Sequence, residues 1–177
     1  MNKSEVTDEV LEKAKKVKLL LMDCDGVLTD GKLYFTEKGE EIKVFHVRDG
    51  QGIVMWHQAG FESGIISGRK SKILYVRATE LGMHYIKDGS QDKAKDFEDI
   101  LQHANVSLDE VAFIGDDIAD ICLMKKVGFA VAVADAVKEL FPYAIYTTKS
   151  KGGFAAVREV TDLLLAQKKI FDKATDF

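Results

Sequence analysis

Basic patches, paired cysteines and long apolar runs are all missing from this chain of 177 residues, and each absence closes off a class of function. Lysine and arginine total 25 against 29 acidic residues, a formal net charge of -4. The one dense basic cluster, Lys13 to Lys16, is short enough to be the solvated face of a helix. No nucleic-acid partner is expected, because such a surface needs a basic stripe. The two cysteines, Cys24 and Cys122, have no CxxC spacing, which suits a reducing compartment. Lysine or aspartate interrupts every hydrophobic run before the roughly 18 residues that a membrane helix requires, and no signal-peptide pattern is present. A cytoplasmic protein with no membrane partner follows as the expectation. With a single proline, no linker, no repeat and no low-complexity tract, residues 1–177 read as one domain whose 46% hydrophobic content suffices for one core.

What is present begins with Asp23-Cys24-Asp25-Gly26-Val27, directly after the apolar run from Val17 to Met22. A short buried run that stops at a turn reads as a central parallel strand, and ligands of open α/β sheets bind beyond the carboxyl ends of such strands. Two carboxylates this close oppose each other's ionisation unless a cation or a shared proton relieves them. A metal site or a catalytic pair follows. Cys24 alternates away from the side shared by Asp23 and Asp25, so a buried apolar role outranks a redox one.

The remaining pattern alternates strand and helix. Helices are predicted over 5–16, 51–59, 71–81, 91–103, 118–126 and 153–167, and strands over 64–67, 84–86, 111–115 and 128–133. Residues 33–36 and 41–47, turning at Gly39, read as a β-hairpin inserted into this rhythm. The fold class is α/β: a Rossmann-like parallel sheet with helices on both faces, a hairpin flap over about 31–47 and a C-terminal tail over about 150–177. The tail from Lys168 onward is expected to be a frayed helix end.

Three further segments place polar residues at strand tips. Ser67-Gly68-Arg69 offers a hydroxyl, an accessible amide and a guanidinium, which is phosphate-binding chemistry, although Ser67 could equally cap the next helix. Asp116, Asp117 and Asp120 follow another strand, more acids than capping needs, and with Asp23 they supply the hard oxygens that Mg²⁺ prefers. An EF-hand fails on spacing, since its sixth position would be Leu28, and neither GxGxxG nor a Walker motif is found. Lys93 opens a helix from which it could hold a phosphoryl group beside these carboxylates.

In this order, Asp23/Asp25, Ser67, Lys93 and Asp116/Asp117 resemble the four motifs of the haloacid dehalogenase superfamily of phosphatases, and the likeness spans nearly the whole chain. The resemblance implies that Asp23 attacks phosphorus and that Asp25 protonates the leaving alkoxide and then activates water. It further implies that Ser67 and Lys93 bind the phosphoryl group, and that Mg²⁺ sits on Asp23, Asp116 and the main-chain carbonyl of Asp25. With only a hairpin between the first two motifs, the chain is similar to the capless phosphatases of sugar-acid phosphates. His46-Val47-Arg48-Asp49-Gly50, the Ser67 to Lys70 tip and the tail from Gly152 to Glu159 carry this closer likeness.

It implies an eight-carbon substrate, 3-deoxy-D-manno-octulosonate 8-phosphate, lying on His46, Val47, Arg48, Asp49, Gly50, Gly68, Arg69 and Arg77 besides the catalytic residues. It also implies a homotetramer assembled through the hairpin, with the tail closing over a site. Arg69 favours the eight-carbon substrate over a nine-carbon sugar 9-phosphate, since relatives acting on the latter carry an acid there. Val54 stands where a basic residue is expected in such enzymes, and Phe154 where a small or basic one is. A non-catalytic oligomeric module is the reading from another class, against which stands the completeness of the catalytic set.

Overall fold

The computed structural model of the protein describes residues 5–168. Eight strands are present among them: β1 (Leu19–Met22), β2 (Tyr34–Phe35), β3 (Glu41–Ile42), β4 (Glu62–Ser67), β5 (Tyr85–Asp88), β6 (Val111–Gly115), β7 (Phe129–Ala132) and β8 (Tyr146–Thr147). Six are parallel in the order β5-β4-β1-β6-β7-β8, while β2 and β3 pair antiparallel as the separate hairpin. The helices are α1 (Asp8–Lys16), α2 (Val47–Gln58), α3 (Lys72–Glu80), α4 (Lys93–Ala104), α5 (Ile121–Met124) and α6 (Ala156–Gln167).

β1 is buried at every residue, and its side chains divide by parity. Leu20 and Met22 enter an apolar cluster with Val10, Ile53, Trp56, Leu74 and Val160, so α1, α2, α3 and α6 cover that face. Leu19 and Leu21 enter a second cluster with Phe97, Ile100, Leu123 and Met124, under α4 and α5. The period of two thus builds two cores from one strand. Met22 lies opposite Ile65 on one side and Ile114 on the other, so Asp23, Ser67 and Asp116 emerge at one edge of the sheet. After β1 the chain winds outward through β4 and β5, then returns to the other side for β6. The crevice between β1 and β6 is where such sheets bind ligands.

Local capping decides where the helices begin. Thr7, Ser71 and Asp92 cap α1, α3 and α4, and Asp92 accepts from the amides of Ala94 and Lys95 at 3.0 and 3.1 Å, which places Lys93 in the first turn. The hairpin is shorter than its sequence pattern suggests. Its second arm pairs only at Glu41 and Ile42, and the chain enters α2 at Val47 with His46 as the cap, accepting from the Arg48 amide at 3.2 Å. The predicted 118–126 helix opens as a single 3-10 turn at Ile118–Asp120. The helix predicted from Gly153 starts at Ala156, because Gly153 and Ala155 hold φ of +71° and +72°. β8 and a 3-10 turn at Phe141–Tyr143 were not expected. Of the tail, residues 169–177 lie outside the described ones, as does the expectation of a frayed end there.

Candidate active site

A buried cation stands at the centre of the sheet edge. Lys93 Nζ lies 2.7 Å from Asp120 Oδ1 and 3.2 Å from Asp23 Oδ1, with its side chain 9% exposed. Burial works against its charge, but Asp23 and Asp120 outweigh it and hold the ammonium above its usual pKa. Asp120 is fully buried, and its second oxygen accepts from the amides of Asp116 and Asp117 at 3.0 and 3.4 Å. One side chain therefore locks both the lysine and the loop after β6. Asp117 turns away from this centre and caps the 3-10 turn through the Ile118 amide at 2.6 Å.

The carboxylates suit a hard cation. Oxygens of Asp23, Asp116 and Asp120 lie within 4.8 Å of one another, and Asp116 Oδ1 is buried with no hydrogen-bond partner. Burial, and then the charges of Asp23, Asp120 and Asp117, push the Asp116 carboxyl up to about 8. Asp23 is raised to about 6, mainly by burial and against the pull of Lys93. Acids whose ionisation is opposed by crowding and desolvation ionise readily when a divalent cation compensates them. Because Asp120 is already engaged by Lys93 and two amides, Asp23 and Asp116 carry the free capacity.

The second carboxylate of the Asp23-Asp25 pair faces the hairpin. Asp25 Oδ1 is ion-paired with Lys43, and Asp25 Oδ2 lies 3.6 Å from Arg69 Nη1. Glu41 accepts from Arg69 Nη2 at 2.8 Å and from Ser71 Oγ at 2.9 Å. Lys43 and Glu41 are not singled out by the sequence analysis, although Lys43 stands between the apolar Ile42 and Val44 on the hairpin's second arm, two residues from Glu41. Cys24 is fully buried in the first apolar cluster, and burial together with the Asp25 charge pushes its thiol up, so it stays neutral.

Glycine lets the tail close on this centre. Gly26 holds φ of +93°, and a Cβ there would lie 2.0 Å from Asp116 Oδ2. A Cβ at Gly152 would lie 1.7 Å from the Gly26 carbonyl oxygen, and the Gly153 amide donates to Val27 O at 2.9 Å. The Asp23 to Asp30 loop is thus clamped between Asp116 and the tail.

The other sequence candidates sit as follows. Ser67 is buried at the end of β4, and a Cβ at Gly68 would meet only the Ser90 carbonyl oxygen, at 3.8 Å. His46 lines a cavity of about 190 Å³ with Asp30, Tyr34, Val44, Phe45, Gly153 and Phe154. Val47 is exposed, and Arg48 borders a larger cavity of about 530 Å³ with Arg158 and Glu159. Asp49 is buried with its carboxylate at the start of α6, accepting from the Arg158 amide at 2.8 Å. Gly50 allows the Arg77 guanidinium to approach α2, and Arg77 also pairs with Glu80 at 2.9 Å. Val54 packs against the first apolar cluster, whereas Phe154 is exposed.

Residues 61–159 match the haloacid dehalogenase-like hydrolase family. The chain belongs to that family. Within it, the chain is 44% identical to the 3-deoxy-D-manno-octulosonate 8-phosphate phosphatase of Escherichia coli (strain K12) over 169 residues, 96% of this chain and 90% of that protein. Its fold superimposes on the crystal structure of the phosphatase of the same name from Yersinia pestis with a TM-score of 0.92 at 42% identity, covering 94% of this chain and 90% of that one. A third relative is the Moraxella catarrhalis 3-deoxy-D-manno-octulosonate 8-phosphate phosphatase, solved with a magnesium ion, a phosphate ion and the sugar acid. It shares 35% identity at a TM-score of 0.92, covering 96% of this chain and 98% of that one. The haloacid dehalogenase-like assignment agrees with the observed parallel sheet and with the inserted hairpin.

Proposed function

We propose that this chain is a Mg²⁺-dependent phosphomonoesterase that hydrolyses 3-deoxy-D-manno-octulosonate 8-phosphate to the free sugar acid and phosphate, a step in lipopolysaccharide precursor synthesis. The observation that carries the reading is the buried Lys93 held between Asp23 and Asp120, beside the unpaired Asp116 oxygen. A nucleophile, a phosphoryl-binding cation and a metal ligand then share one sheet edge. The substrate comes from the relatives of that name, which match nearly the full chain.

Asp23 forms a bond to phosphorus while the bond from phosphorus to the sugar oxygen breaks, and Asp25 passes its proton to the leaving alkoxide. Water then attacks the aspartyl-phosphate, Asp25 takes up the water's proton, and Asp23 is released as a carboxylate. Ser67 and Lys93 hold the phosphoryl oxygens throughout. Mg²⁺, held by Asp23, Asp116 and the main-chain carbonyl of Asp25, supplies the positive charge that offsets repulsion between the attacking carboxylate and the phosphate. Arg69 at the open side of the site faces the sugar acid.

The whole chain acts as one domain, in the cytoplasm, as a homotetramer. Support for assembly lies in the hairpin, where Leu33, Phe35, Ile42 and Val44 are exposed apolar side chains. The test is phosphate release with Mg²⁺ from the eight-carbon 8-phosphate, nine-carbon 9-phosphates and an aryl phosphate, with Asp23→Asn as control. Preference for the eight-carbon substrate is expected. Equal turnover of all three would reject the substrate, and unchanged release by Asp23→Asn would reject the nucleophile.

A further inference from the structure

The second arm of the hairpin has its polarity turned around. Ile42 and Val44 are 47% and 60% exposed, while the side chain of Lys43 between them is only 4% exposed. The alternation that normally buries apolar residues here sends a charged one inward. Burying an ammonium is unfavourable unless carboxylates compensate it. Both of its compensating groups belong to the site: Lys43 Nζ pairs with Asp25 Oδ1 and lies 3.6 Å from Glu41 Oε1. Glu41 is itself fixed by Arg69 and Ser71. With Asp25 Oδ1 taken, Asp25 Oδ2 is buried, 3.6 Å from Arg69 Nη1 and without a hydrogen bond.

We propose that Lys43 is a positioning residue for Asp25, delivered by the hairpin. By gripping one oxygen it fixes the rotation of the carboxyl and leaves the other as the oxygen that passes a proton to the leaving group. Glu41 holds Lys43 in place and links it to Arg69, so proton donor and sugar-facing guanidinium are set by one short strand. This assignment rests on the phosphatase reading, from which Asp25 takes its role.

The leaving group provides the test. An alkoxide needs a proton as it departs, whereas p-nitrophenolate does not, and kcat/KM reports only events up to the first phosphoryl transfer. Wild type, Lys43→Met and Lys43→Arg are compared on the sugar-acid phosphate and on p-nitrophenyl phosphate, with Mg²⁺ binding measured by calorimetry. Lys43→Met is expected to lower kcat/KM on the alkyl phosphate by roughly 30-fold or more, and on the aryl phosphate by less than about threefold. Lys43→Arg should recover part of the difference, with Mg²⁺ affinity within about threefold of wild type in each variant. Equal losses on both substrates, or Mg²⁺ affinity weakened more than about tenfold, would overturn the assignment. Should Lys43→Met not fold, Lys43→Gln removes the charge while keeping a donor and gives the same comparison. Failure of wild type on both substrates would instead reject the phosphatase reading itself.

Discussion

Asp120 holds Lys93 at 2.7 Å while its other oxygen accepts from the amide of Asp116 at 3.0 Å. The buried acid thus ties the α4 lysine to the loop that follows β6. Asp120→Ala removes the acceptor of two amides and the nearer of the two carboxylates on the buried Lys93 ammonium, leaving Asp23 at 3.2 Å, and breaking such a buried pair destabilises by about 3–5 kcal/mol. Asp120→Asn keeps an acceptor for the amides but lowers the charge, so a smaller loss of stability is expected together with a kcat reduced at least tenfold, by roughly 1.4 kcal/mol or more of transition-state stabilisation. Urea denaturation and steady-state kinetics on both variants check this. Wild-type kcat in Asp120→Asn would show that Lys93 needs no anchor.

The raised carboxyls at the metal cluster make stability depend on pH. Asp116, at about 8, and Asp23, at about 6, bind protons more tightly in the folded protein than their ordinary value of 3.8 allows in the unfolded chain. The metal-free protein therefore has this contribution in full below about pH 4 and loses it as pH rises through about 6 and then 8. Mg²⁺ must displace those protons. Proton release on Mg²⁺ binding at pH 7 is expected, along with a larger Mg²⁺-induced rise in Tm at pH 8 than at pH 5.5. Calorimetry in buffers of different ionisation enthalpy reads the first, and thermal melts read the second. Proton uptake, or a Tm rise greater at the lower pH, would contradict this placement of charge.

Gly152 has no room for a methyl group, since its Cβ would lie 1.7 Å from the Gly26 carbonyl oxygen. The obstruction is backbone, which cannot swing aside as a flexible side chain could. Gly152→Ala is expected to lose about 1–3 kcal/mol from overpacking. Activity at saturating Mg²⁺ should fall with it, because the loop carrying Asp23 and Asp25 is pushed. Stability and kcat both equal to wild type would mean that the tail can lift off without consequence.

Asp49 lies in the segment that the family resemblance assigns to substrate, yet its carboxylate serves the start of α6 through Arg158. Asp49→Ala should destabilise the fold by about 1–2 kcal/mol, as the loss of a helix cap does. Any change in KM would then be inherited from α6. A KM raised tenfold with unchanged denaturation would place Asp49 on the substrate instead.

Several parts of this protein were decided by its sequence alone. The apolar runs before Asp23, Ser67 and Asp116 are long enough, and bounded sharply enough, that only central strands fit them, and a parallel sheet brings such strand ends to one edge. That is why the carboxylates and the serine could be named before their distances were known, whereas Lys93, at a helix start, is named only as the compact cation that a phosphate beside carboxylates needs. Local patterning failed where tertiary contacts chose the outcome. Gly50 and Gly52 weaken the first turns of α2 as a helix, but Arg77 and Thr161 occupy the spaces their missing side chains leave, so the helix begins at Val47. β8 is two residues long and has no period to detect; it forms because β7 offers a free edge and Glu159 receives the Tyr146 hydroxyl at 2.7 Å. Residues 41 to 43 announced a strand but not which side would be buried. The arrival of Asp25 from the end of β1, joining the neighbouring Glu41, makes burying a lysine favourable, and that electrostatic fact exists only once the chain has folded.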